Sequence, residues 1–246
     1  FFPINRIIDW IMINSFILII LLFLVGCSST NIERKNSTQY DKGSINQLAK
    51  LDQDRMADYE IRENIESLRL LMLKLYKRNP NQLKKTTSDN AEQAVNWVFF
   101  GGHKWDLKQI NNLSDFEAVY QAFDKEFDGD RVLSLIVGLH TMLVKAHGNK
   151  TEFFITDSID PQNLYNMARN IEITMWMLST KKDDQGQLLL ISNEINGEVK
   201  NLSFEREFGK MIGRLDYFAY TLSEKTERVI TRVIQNVTTG IFLPFI

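Results

Sequence analysis

One cysteine, Cys27, is present in the whole chain of 246 residues. Disulfides therefore add nothing to the fold, and a cysteine-built zinc site is excluded. Four prolines and twelve glycines are too few for the turn density of a sandwich or barrel, so the long periodic stretches predict helices. An excess of one charge is missing as well: 29 basic and 31 acidic side chains leave a net charge of −2. Such a surface offers no electrostatic footprint to nucleic acid and no polybasic patch to anionic lipid. None of the three histidines stands in an HExxH or follows a glutamate by three residues, so zinc-protease and di-iron signatures are absent. The chain also lacks a P-loop, a GxGxxG, a GxSxG elbow and an SxxK paired with KTG. Glu205 and Glu207, two apart on an expected helix, point in different directions and do not read as an acid–base pair. No repeat of helical-solenoid length occurs.

What is present begins with an apolar run, Phe16 to Val25, that closes on Leu24-Val25-Gly26-Cys27. It is about ten residues long, or roughly sixteen if counted from Trp10. A spanning helix needs about 20 apolar residues and a secretory h-region about 7–15. Gly26 supplies the small residue a signal peptidase needs before its cut. The arrangement resembles the lipobox of bacterial lipoproteins. The resemblance implies that residues 1–26 are a signal peptide and that the Cys27 sulfur carries a diacylglycerol. It also implies an acyl chain such as palmitate on the freed amine. Ser28, where an aspartate would favour inner-membrane retention, implies the outer membrane facing the periplasm in a Gram-negative envelope. In a Gram-positive cell the plasma membrane is implied instead. Arg6 is the only cation of the n-region and Asp9 opposes it, which leaves an uncleaved anchor as the alternative.

Residues 27–47 hold the anchor and a polar, aperiodic segment that cannot bury enough surface to offset ordering entropy. They read as a flexible tether, about 20 residues with a reach of roughly 25 Å. Residues 48–246 read as a helical globular domain: all-α, an irregular bundle of about six to seven helices with a long C-terminal one. Leu48, Leu51, Tyr59, Ile65, Leu68, Met72 and Leu75 predict a first helix to Arg78, ended by Asn79-Pro80. Capping boxes at Asp89/Glu92 and Ser114/Glu117 predict two more, to Gly101 and to about Asp124. From Gly129 to His147 apolar residues surround most of a helix, leaving a stripe of Ser134, Gly138, Thr141 and Lys145 for a close neighbour. Asp160-Pro161 opens another helix with inner face Leu164, Met167, Ile171, Met175 and Leu178. Leu188 to Ile195 fits a short helix or a strand. Ser203 is expected to cap a helix to about Thr239, with a missed beat near Thr226.

Candidate sites are few, and neither a metal, a cofactor nor a catalytic set is expected. Asp124, Glu126, Asp128 and Gly129 resemble the start of an EF-hand, but its twelfth position is Leu135. The expected role is capping by Asp128, with Asp130 complementing the dipole. His140 and His147 are two turns apart, about 10 Å along a helix, and read as core histidines. Trp97 and Trp105, around Gly101-Gly102-His103, suit either a stacking platform for sugar rings or aromatics folded onto the core. The apolar tail with Phe242 and Phe245 is expected to pack on the body rather than dock into a partner. The leading reading is a non-enzymatic, lipid-anchored envelope protein that binds or scaffolds an envelope protein. A peptidoglycan- or glycan-binding module, or an enzyme acting on them, using the loop of Trp97, His103 and Trp105 is one alternative. A carrier of an apolar ligand, suggested by eight methionines and sixteen phenylalanines, is the other. Intact-mass analysis from a lipoprotein-processing host should find a product beginning at acylated Cys27. An unacylated product still starting at residue 1 would remove the anchor.

Overall fold

The computed structural model describes residues 52–194, 200–233 and 236–245; Cys27, the expected signal peptide and the expected tether lie outside them. These residues form an all-α bundle of seven α-helices. They are α1 Asp52–Arg78, α2 Pro80–Thr86, α3 Ala91–Phe100, α4 Asp115–Ala122, α5 Arg131–Ala146, α6 Pro161–Thr180 and α7 Ser203–Thr226. Two 3-10 turns and two isolated antiparallel bridges, Lys182 with Leu188 and Glu194 with Asn201, complete the regular structure. No described helix is long and apolar enough to cross a membrane.

Helix α5 is the centre, because its sequence leaves it no outward face. Only Thr141, Val144 and Lys145 escape full burial. Helices α1, α4 and α6 lie against it, and α7 lies along α6 and against α1. The Ser134, Gly138, Thr141 and Lys145 stripe receives α4, as the small residues predicted. Ser134 Oγ donates to the Ala118 carbonyl at 2.8 Å, and Thr141 Oγ1 accepts the Asp115 N–H at 2.7 Å. Lys145 closes the row on the Asp115 carboxylate at 2.7 Å.

Helix ends depart from the sequence reading where a competing donor or acceptor is better placed. Asn90 and Gln93, not Asp89 and Glu92, make the capping box of α3, which turns Ala91, Ala94, Val95 and Val98 inward. Ser114 makes no side-chain cap; Thr141 takes the first N–H of α4, and that helix ends at Ala122. Asp130, not Asp128, caps α5 through the Val132 and Leu133 N–H groups. Pro80 ends α1 but also starts α2, an unexpected helix in which its missing N–H is harmless. Along α1 the buried row is Ala57, Ile61, Asn64, Leu68, Leu71 and Leu75; Tyr59 is exposed and Ile65 only half-buried. Asp160 and Pro161 open α6 as expected, with Met175 half-buried beside buried Thr174 and Met177.

Two amide-clamped segments replace expected regular structure. Asn79 Oδ1 accepts the Ile191 N–H at 2.8 Å and its Nδ2 donates to the Ile191 carbonyl at 2.9 Å. The Leu188 to Glu194 stretch thus runs as irregular chain rather than helix or strand. Helix α7 stops at Thr226, well short of Thr239, on the left-handed Glu227. Val229 just beyond is 89 % exposed, while Ile230 and Val237 reach the core from irregular chain and a 3-10 turn rather than from one helix face.

At Gly138 an added Cβ would lie 2.6 Å from Val119 Cγ2 and 2.7 Å from the Asp115 carbonyl oxygen. Gly138→Ala should therefore push α4 off α5, destabilising the fold by about 1–3 kcal/mol. A thermal melt unchanged from wild type would contradict this close contact.

Candidate functional site

Helices α1 and α7 are far apart in sequence but face each other across a groove. On α1, Arg55, Met56, Tyr59 and Glu60 share one side of the first turns; on α7, Arg214, Tyr217 and Phe218 follow the three-to-four spacing of a helix face. Together they enclose about 300 Å³. Tyr59 and Tyr217 remain 49 % and 68 % exposed, so large apolar walls are left in contact with water. Arg62 lies 5.2 Å over the Tyr59 ring.

A continuous chain of polar side chains runs beneath the groove. His147 is fully buried at the end of α5; its Nδ1 donates to the Leu143 carbonyl at 2.8 Å, and Nε2 meets Glu60 Oε2 at 2.6 Å. Asn64 Nδ2 donates to the other Glu60 oxygen. Arg214 Nε donates to Asn64 Oδ1 at 2.9 Å, and its Nη2 to Ser67 Oγ at 2.6 Å and the Glu63 carbonyl at 3.1 Å. Ser67 Oγ donates onward to Glu207 Oε1 at 2.8 Å, and Lys210 reaches Glu207 Oε2 at 3.0 Å. Burial by itself would raise the Glu207 carboxyl, yet Ser67, Lys210 and Arg214 together hold it below its ordinary value.

The Trp97–Trp105 loop splits between the two roles expected for it. Trp105 folds back and stacks on His140, 3.5 Å between ring centres and 11° between planes. Trp97 stays 42 % exposed. His103 bridges the loop: Trp105 N–H donates to its Nδ1 at 3.0 Å, so Nε2 carries the proton toward the Trp97 carbonyl at 3.2 Å. Trp97 borders a recess of about 150 Å³ with Asp89, Thr86, Thr87, Tyr76 and Gln109. Next to it Asp130 accepts hydroxyl protons from Tyr76 and Thr86, both at 2.8 Å. Burial raises the Asp130 carboxyl, and burial beside Asp130 raises Tyr76 well above the usual phenol.

The acidic run after α4 disperses. Asp128 is exposed near Lys85, Asp130 caps α5, and the Asp124 carbonyl accepts from Arg131. No group of three His, Cys, Asp or Glu among the described residues could hold a metal ion.

The C-terminal tail lies on the body. Phe242 is buried and stacks on Phe116 at 5.3 Å; half-buried Phe245 stacks on the same ring at 5.6 Å. Asn170 holds both backbone groups of Leu243 at 2.7 and 2.9 Å, and Asn166 donates to the Pro244 carbonyl at 2.8 Å. Phe242 and Phe245 therefore serve the core, not an exposed docking edge.

Sequence reasoning missed the groove, since nothing local joins Tyr59 to Tyr217. One signal was available: Glu60, Asn64 and Ser67 interrupt the apolar face of α1 at helical spacing. His140 and His147 are core histidines, 6 % and 0 % exposed. Burial pushes the His140 imidazole down to about 3. The folded ring stays neutral while the unfolded one binds a proton below about pH 6.5, so stability falls with acid from there to about pH 3. The slope from this group is about 1.4 kcal/mol per pH unit. His140→Phe, which can still stack on Trp105, should lose about 2–3 kcal/mol less than wild type between pH 6 and 4. Parallel urea-denaturation series for the two proteins would refute this. Comparison with protein-family models, curated proteins and solved structures gives no significant match to this chain.

Proposed function

We propose that this protein is a lipid-anchored component of a bacterial cell envelope that works by binding, with the α1–α7 groove as its binding site. The anchor rests on the apolar run ending at Gly26-Cys27. Several acyl chains make such attachment durable, because each buried methylene contributes about 0.8 kcal/mol and one chain alone holds only marginally. In a Gram-negative cell Ser28 favours the outer membrane. Residues 28–47 tether the body, which leaves it free to reach an envelope partner or ligand.

The observation that carries the binding role is the groove itself. Its volume is about 300 Å³, and Met56, Tyr59, Tyr217 and Phe218 line it beside Arg55, Glu60 and Arg214. Concave and predominantly apolar walls of this volume suit a small apolar molecule. This groove supports the carrier reading, which the wealth of methionine and phenylalanine first suggested. Glu60 with His147, Arg214 with Asn64, and Ser67 with Glu207 join helices below the groove, which supports a structural role for these groups over a catalytic one.

A second reading has one observation in its favour. Trp97 offers an exposed indole beside the side chains of Asp89, Thr87 and Gln109, the mix of aromatic face and hydrogen-bonding groups that suits a sugar ring. Trp105, spent on His140, does not belong to it.

Native mass spectrometry of the full chain, extracted from membranes of its host, separates the two. A co-purified apolar small molecule that Tyr217→Asp removes, and Trp97→Ala does not, is expected. Bound muropeptide lost with Trp97→Ala would transfer the function to the second site.

A further inference from the structure

We infer that the α1–α7 groove takes one hydrocarbon chain of a bilayer lipid, whose polar head stays outside at the groove mouth. The inference rests on the groove being the binding site of a tethered protein and adds the class of ligand.

The walls decide which part of a ligand can enter. Met56, Tyr59, Tyr217 and Phe218 give the groove its apolar surface. The polar side chains at its edge are engaged with other protein groups. Glu60 accepts from Asn64 and His147, and Arg214 donates to Asn64, Ser67 and the Glu63 carbonyl. Arg55 has a partner of its own. A hydroxyl, amide or charge pressed against the four apolar side chains would give up water without a replacement hydrogen bond. Sugars and peptides meet that cost, and a methylene chain does not.

The mouth suits what the walls reject. Tyr59 and Tyr217 are 49 % and 68 % exposed, and neither phenol hydroxyl has a hydrogen-bond partner among the described residues. A ring against hydrocarbon with its hydroxyl in the polar layer is the posture tyrosine takes at a membrane–water interface. Both hydroxyls are free to donate to the ester or phosphate oxygens of a lipid head.

Size limits the occupant to one chain. The volume, about 300 Å³, is roughly twice the ~150 Å³ that admits a benzene ring, room for about ten to twelve carbons.

The tether supplies the lipid. The α1 wall of the groove, Arg55 to Glu60, lies in the first turns of a helix that starts at Asp52. Residues 28–51 lie between that start and the anchor at Cys27, and a flexible chain of their length has a mean reach of about 25–30 Å. The groove is therefore at the end of the body from which the chain runs to the anchor. Lipid is abundant there, whereas a free amphiphile is scarce in water.

The test uses the full chain extracted from membranes of its host and reconstituted in vesicles of phosphatidylethanolamine and phosphatidylglycerol. One set of vesicles carries a phosphatidylcholine with a mid-chain diazirine; the other carries 3-trifluoromethyl-3-phenyldiazirine, a small apolar molecule without a lipid head. Irradiation and peptide mass spectrometry locate the labels. The protein's own acyl chains hold no diazirine, so the first set reports bilayer lipid alone. Lipid labels should concentrate on Met56, Tyr59, Tyr217 and Phe218. Tyr217→Asp should cut them about tenfold or more, since a charge replaces apolar wall, while Trp97→Ala leaves them unchanged. Groove labelling by the small diazirine but not by the phospholipid overturns the lipid and leaves the groove as an apolar site. Absence of groove labels in both sets overturns the groove as well. Lipid labels that survive Tyr217→Asp, or that fall equally on exposed Phe100 and Ile155, report surface contact and also overturn the inference. Should Tyr217→Asp fail to fold, as judged by circular dichroism, the distribution of labels on wild type decides alone.

Discussion

The contact between Glu60 and His147 is the constraint around which the bundle is organised. A carboxyl and an imidazole cannot both enter an apolar interior unless each meets the other's polar atom at short range. His147 ends the central helix α5, and Glu60 sits two turns into α1, so the contact fixes how far α1 slides along α5. Asn64 and Ser67, one and two turns further on, extend the same requirement to Arg214 and Glu207 of α7. Three helices are thus locked in one register by polar groups that would be costly if mispaired. Apolar burial supplies the driving force, but it is non-directional and would tolerate neighbouring registers nearly as well.

A different device holds the parts that are not helical. Buried backbone groups must be satisfied, and irregular segments lack a ladder to do it. Here side-chain amides stand in for the missing strand. Asn79 grips Ile191, Gln162 accepts from and donates to Thr231 at 2.7 and 3.2 Å, and Asn170 grips Leu243. Gln162, Asn166 and Asn170 are four residues apart, so one face of α6 presents a row of amides along which the chain after α7 returns. The apolar tail is consequently seated by hydrogen bonds first, and Phe116 and Tyr120 then cover Phe242.

Above the polar network, the α1–α7 pair opens to solvent. At the open end of the α1–α7 pair, aromatic walls stand above side chains whose polar atoms bind one another. Stability does not call for two tyrosines half in water, since each could cover apolar surface elsewhere. The groove is where the chain departs from the economy of the rest of the fold, and departures of that kind are where function is expected.

Much of the architecture was legible in local pattern. The all-helical class, the encirclement of α5, the small-residue stripe that admits α4 and the Asp160-Pro161 start follow from spacing and backbone chemistry within one element. The lipobox-like segment is local in the same sense, a statement about residues 16–27 alone. Tertiary structure decided what depends on a distant partner. The first N–H of α4 is taken by Thr141 of another helix, whereas the cap of α3 shifted from Asp89 to Asn90 within its own segment. Thr226 became an end because the apolar residues beyond it, Ile230, Val237 and Phe242, reach the core from non-helical chain and a 3-10 turn rather than from one helix face. The groove, the pinned guanidinium and the rigid role of Phe242 all join residues more than 70 positions apart. A side chain's periodicity tells which face it occupies; only the completed fold tells what that face meets.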